Sequence, residues 1–304
     1  MSHFQSDARW CIVVADAAGP SWWVPEEEGG ASWMPIQYCG LGEPTTMLQK
    51  ALHRAVRVSS AAHVLVTTAE VHRLHWQGAL WCVRPEHRFV SECPGWSALT
   101  TASALLWIAA RAPSAVVTIL PARCYVADEW TLAVALHRAL NERSLDVDDV
   151  VTLGISTADS GIDEDYLSLR ASDPLSSGAR PGKLRTLIAS GIYIGYASTL
   201  AMRLYKHWPT LTHELLRQLA GSFDEGGERC VPQRLARQAT REAPGRCWDR
   251  SPWVPRQVLR VRPCGWSGLQ SIRGIERVVR ATRSPTQAIA TGVAASTLGK
   301  YAEG

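Results

Sequence analysis

Short aliphatic runs, closed by Gly, Pro or polar clusters, alternate along this chain with stretches whose apolar residues recur at helical spacing. That alternation predicts an α/β fold. Strands are predicted over 10–15, 63–67, 116–120, 149–155, 188–195 and 258–262. Helices are predicted over 45–61, 129–140, 198–208, 211–219 and 272–280, with a helix start at 70–76 and a short helix carrying Arg234, Arg237 and Arg241. In the first helix Met47, Leu48, Leu52, Ala55 and Val56 form the apolar side, and Lys50, Arg54 and Arg57 the other. Polar loops are expected at 156–165 and 172–178, and a small-residue tail at 284–304.

The run Val116-Val117-Thr118-Ile119-Leu120 reads as a strand buried on both faces, and Pro121 stops it. In an open α/β sheet, ligands gather outside the carboxyl ends of such strands, so the turn Pro121 to Cys124 is where chemistry is expected.

That turn, Leu120-Pro121-Ala122-Arg123-Cys124, resembles the L-P-A-D-H metal turn of the mannose-1-phosphate guanylyltransferases, a branch of the sugar-phosphate nucleotidyltransferases. Other segments resemble the family in the same order. Pro85-Glu86-His87-Arg88-Phe89-Val90-Ser91-Glu92, followed by Pro94-Gly95, is similar to P-E-N-R-F-V-x-E-P-x-G. Val151-Thr152-Leu153-Gly154-Ile155 resembles L-V-T-x-G-I, and Ser190-Gly191-Ile192-Tyr193-Ile194 resembles N-S-G-I-F-x-F. Cys264-Gly265-Trp266-Ser267-Gly268-Leu269 resembles a late G-W-S-D-L-G turn. The resemblance implies a Rossmann-like nucleotidyltransferase (GT-A-like) mixed sheet flanked by helices, with a small C-terminal α+β extension and no β-helix or cupin domain. Residues 1–222 would form the core, 223–283 would complete the same domain, and 284–304 would be a flexible tail.

Composition agrees with that expectation. A chain of 304 residues with 46% hydrophobic content can bury one large core and a smaller appendage. A net charge of +4 is too small for a long-range field towards nucleic acid. No apolar run approaches the roughly 18 residues of a membrane span, and no signal peptide is apparent, so a cytoplasmic protein is expected. The eight cysteines contain no C-x-x-C pair and read as reduced core thiols. His53, His63, His72, His75 and His87 read as scattered surface or strand-end residues.

The same resemblance exposes what the chain lacks. The family's glycine-rich phosphate loop is here Asp16-Ala17-Ala18-Gly19-Pro20-Ser21-Trp22-Trp23, with an acid where backbone should approach phosphate. The lysine of P-K-Q-F is Ile36, before Gln37. The aspartates that hold Mg²⁺ are Arg123 and Gly268, and the F-V-E-K-P strand is shortened away. Mg²⁺ in such sites bridges phosphate oxygens and neutralises developing charge, which a cation at position 123 opposes. Asp128 and Glu129 follow closely but fit the first turn of the next helix. Trp22, Trp23, Trp96 and Leu99 either fill the old cleft or form an apolar contact surface, and the chain has thirteen Trp in all.

No catalytic residue is therefore expected. Implied nucleotide contacts fall at Asp16, Gly19, Gln37, Glu92, Gly95 and Arg123, and implied sugar contacts at Gly154, Ser190 and Gly191. The leading expectation is a non-catalytic relative that acts by binding or scaffolding, with another cytoplasmic protein or an active paralogue as partner and no cofactor. One alternative is a divergent enzyme making a nucleotide sugar from a nucleoside triphosphate and a sugar 1-phosphate, which would need Mg²⁺. Another is a metal-independent sensor of a nucleotide or nucleotide sugar, with Arg123 meeting the phosphate directly. Neither a membrane nor nucleic acid is expected as a partner.

Overall fold

A computed structural model describes residues 8–16, 21–25, 31–93, 95–141, 149–156, 166–169, 185–221, 227–242, 255 and 257–282. Its centre is a sheet of β1 (Arg9–Val14), β4 (Val64–Ala69), β5 (Arg88–Ser91), β6 (Val116–Pro121), β7 (Val151–Ser156), β8 (Tyr166–Leu169), β9 (Arg185–Tyr196), β10 (Arg229–Val231) and β11 (Gln257–Val261). The order is β10-β5-β4-β1-β6-β9-β7-β11, with β8 also paired to β9. Only β9 runs against the rest, being antiparallel to β6, β7 and β8. A separate antiparallel hairpin joins β2 (Ser21–Pro25) to β3 (Ala31–Pro35), pairing Trp23 with Trp33. No strand is predicted over this stretch from sequence alone.

Two layers of helices cover the sheet. On one face lie α1 (Met47–Val58) and α4 (Glu129–Asn141); on the other lie α3 (Ser97–Arg111), α5 (Ala197–His207), α6 (Pro209–Gly221) and α7 (Gln233–Glu242). The short α2 (Arg73–Trp76) follows β4, and α8 (Ile272–Thr282) ends the described chain. Alternation along β1 shows why its run from Trp10 to Val14 is apolar: Cys11 and Val13 enter one core, and Trp10 and Ile12 the other. The capping box at Thr46 and Gln49 starts α1 immediately after the loop at the sheet's carboxyl edge.

The predicted strands and helices form, with boundaries moved by a few residues. The region after 222 places β10 beside β5 and β11 beside β7, at opposite edges of the sheet. The tail and the loops at 157–165 and 172–178 lie outside the described residues. No described helix is long and apolar enough to cross a membrane.

Candidate functional site

From β1 the chain builds β4 and β5 to one side, then returns to place β6 on the other. The order therefore reverses between β1 and β6, and the crevice outside their carboxyl ends is where such sheets hold ligands. Pairing of Val14 with Pro121, continued by a 2.8 Å bond from Ala122 N–H to the Val14 carbonyl, sets Asp16 beside the turn that carries Arg123.

Asp16 is fully buried. The Thr67 hydroxyl donates to its Oδ1 at 2.7 Å, while Oδ2 meets no donor within hydrogen-bond geometry among the described residues. Burial pushes its pKa up to about 6, against the opposing pull of the Thr100 and Thr67 hydroxyls. The carboxyl is thus inside the protein, below the crevice. Gln37 Nε2 and the Tyr38 hydroxyl both donate to the Ala15 carbonyl at 3.1 Å, so the segment after β3 is tied to the end of β1.

Ile36 is also fully buried. It belongs to a third apolar cluster with Cys39, Leu41, Met47, Leu269, Ile275, Val278 and Val279, formed as α8 closes over the segment. The Thr282 hydroxyl fastens that helix by donating to the Leu41 carbonyl at 2.7 Å.

Across the crevice, the two turns that resemble the family's metal turns lie edge to edge. Tyr125 and Ser267 exchange both backbone hydrogen bonds at 2.9 Å. Arg123 lies two residues before Tyr125 and is half-buried, and Gly268 directly follows Ser267 and is itself followed by Leu269 at φ 49°. No group of three or more His, Cys, Asp or Glu that could hold a metal occurs among the described residues. Asp128 accepts from Thr131 N–H at 3.0 Å and from its hydroxyl at 2.6 Å, and so caps the start of α4.

Behind this turn is an arrangement that sequence reasoning missed. Arg54 is buried, not on the solvent side of α1, whereas Val56, assigned to the apolar side, is 47% exposed. Arg54 Nε donates to both Glu129 oxygens at 3.1 and 3.0 Å, and Nη2 to Oε1 at 2.6 Å. Its Nη1 donates to Cys124 Sγ at 3.1 Å, and that thiol donates to the Pro121 carbonyl at 3.2 Å. Burial alone would lower the Arg54 pKa, but Cys124 and Glu129 more than offset it and hold it above the ordinary value. The spacing Met47, Ala51, Arg54, Val58 carried the signal, because it is one stripe of a helix. A pocket of about 280 Å³ opens beside the pair, between α1 and residues Tyr125 to Glu129.

The remaining candidates disperse. Glu92 caps α7, accepting from Gln233 N–H at 2.8 Å, and Gly95 takes φ 84° just before α3. Gly154 sits inside β7, where a Cβ would meet Leu187 Cδ1 at 2.8 Å and Val258 Cγ1 at 2.9 Å, so packing alone explains the glycine. Ser190 donates to the Leu153 carbonyl at 2.7 Å, and Gly191 takes φ 69°, where an added Cβ would lie 3.6 Å from Pro121 Cγ. Leu99 is core and Trp96 packs against it. Gly19 and the side chains of Trp22 and Trp23 lie outside the described residues. The histidines are not all superficial: His87 is buried against Trp10 and Trp107, and His72 and His75 flank the Tyr38 ring.

No family model matches the chain, and no curated protein matches it. Solved structures do. The mannose-1-phosphate geranyltransferase from Thermus thermophilus is 18% identical, with a TM-score of 0.60 over 92% of this chain and 80% of that one. The mannose-6-phosphate isomerase from Helicobacter pylori is 13% identical, with a TM-score of 0.55 over 86% of this chain and 99% of that one. At such identities the likeness is one of fold, and the fold is the helix-flanked, Rossmann-like mixed sheet that the sequence implied.

Proposed function

We propose that this chain is a non-catalytic, nucleotidyltransferase-like protein that acts by binding or scaffolding, with a protein partner such as an active paralogue. One observation carries the reading. The backbone pair between Tyr125 and Ser267 keeps the two former metal turns together, yet their side chains are a guanidinium at Arg123 and none at Gly268. Such a pair lacks the two carboxylates that would hold Mg²⁺ against a triphosphate. Burial of Ile36 and of Asp16 supports the same reading, since neither offers a cation to phosphate.

A purified chain given GTP, mannose 1-phosphate and Mg²⁺ should release no pyrophosphate, and calorimetry should show no Mg²⁺-dependent heat with GTP. Turnover in that mixture would replace this reading with the divergent enzyme. The half-buried Arg123 at the switch point supports a second reading, a metal-independent nucleotide sensor. GTP or GDP-mannose binding without Mg²⁺, lost in Arg123→Ala, would select it.

A further inference from the structure

The pocket of about 280 Å³ behind the Pro121 turn approaches the size of small-ligand sites, which start near about 300 Å³. Lys50, His53, Arg54 and Arg57 follow one another at helical spacing along α1, and all line it. Tyr125 closes the opposite side, with Lys50 Nζ 4.9 Å from its ring centroid. Three permanent cations thus face two carboxylates, Glu43 and Glu129. Each carboxylate is engaged already: Glu43 takes Lys50 at 2.6 Å, and Glu129 takes Arg54. Arg57 and His53 have no hydrogen bond or ion pair among the described residues.

We propose that this pocket binds a phosphomonoester. Its charge excess resides on Arg57, whose guanidinium fork matches two oxygens of a phosphate. Lys50 adds a rotatable ammonium, and the Tyr125 hydroxyl, kept protonated by burial and by Glu43 and Glu129, adds a neutral donor. The Arg54–Glu129 pair, with its guanidinium buried and its carboxylate partly exposed, forms the floor, and the remaining volume takes a sugar-sized body. The floor also touches the crevice turn: Arg54 holds Cys124, and Cys124 holds the Pro121 carbonyl two residues before Arg123. Asp16, Ile36, Arg123 and Gly268 do not line the pocket, and the proposal does not depend on whether the crevice takes a nucleotide.

The test is calorimetry on the full chain in phosphate-free buffer, with inorganic phosphate and a hexose 1-phosphate as probes. Saturable binding is expected, tighter for the ester. It should weaken by roughly tenfold or more in Arg57→Gln, the scale of one charge-assisted hydrogen bond. Arg57 is exposed, so that variant should fold normally, and circular dichroism checks it. Arg123→Ala should leave binding unchanged. No saturable heat with either probe, equal affinity for the two, or unaltered affinity in Arg57→Gln would overturn the assignment. So would loss of binding in Arg123→Ala alone, which would move the ligand into the crevice.

Discussion

Arg54 on α1 and Glu129 on α4 meet across 75 residues of sequence as a bidentate ion pair, with the guanidinium buried and the carboxylate partly open to water. Removing only the acid leaves a buried cation whose nearest remaining acceptor is the Cys124 sulfur. Glu129→Ala should therefore destabilise the fold by about 2–3 kcal/mol, below the full cost of breaking a wholly buried pair because Glu129 is part-exposed. Glu129→Gln, which keeps one acceptor, should lose about half as much. Urea denaturation midpoints at pH 7 measure both.

Asp16 sets a pH dependence of definite sign. Its folded pKa, about 6, exceeds its ordinary 3.8, so between these values the folded state binds more protons than the unfolded one. Its contribution therefore falls as pH rises from about 4 to about 6, by roughly 2–3 kcal/mol in total, and stays low above that. Asp16→Asn should abolish this slope and be at least as stable as the parent at pH 7.5. The difference between the two proteins' stability curves from pH 4 to 8 isolates Asp16 from the other carboxylates, and a flat difference would refute the assignment.

On the proposed non-catalytic reading, placing carboxylates in the two turns should not create activity. The double variant Arg123→Asp with Gly268→Asp should remain inactive towards GTP and mannose 1-phosphate, because Ile36 and Asp16 still offer no cation. Ile36→Lys should cost at least about 3 kcal/mol, since the ammonium would enter an apolar cluster with no acid in it. Thermal unfolding of that variant, compared with Ile36→Met, separates charge from volume.

Gly154→Ala tests whether the glycine serves packing or a ligand. A methyl within 3 Å of Leu187 and Val258 should destabilise by about 1–3 kcal/mol without changing any ligand's affinity. Paired denaturation and calorimetry measure both effects.

The strands were legible because burial on both faces leaves runs rich in β-branched and aliphatic residues such as Val116 to Leu120, and the turns because Pro121 and Gly265 punctuate them. Arg54 was not, because charge alone assigned it to water and the acid that permits its burial belongs to another helix. Asp16 was legible as an acid where the resembled family has glycine, but not as a core residue, since its hydroxyl donor Thr67 comes from the neighbouring strand. The β2–β3 hairpin escaped notice because its tryptophans suggested a degenerate cleft, not a paired ribbon.

The clasp of α8 over Ile36 also orders events during synthesis. Leu269, Ile275, Val278 and Val279 complete a cluster whose other half, residues 36–47, leaves the ribosome more than two hundred residues earlier. Until α8 emerges, Ile36 and Leu41 lack that half of their apolar cover, a surface that chaperones could meet while the later strands are still being made.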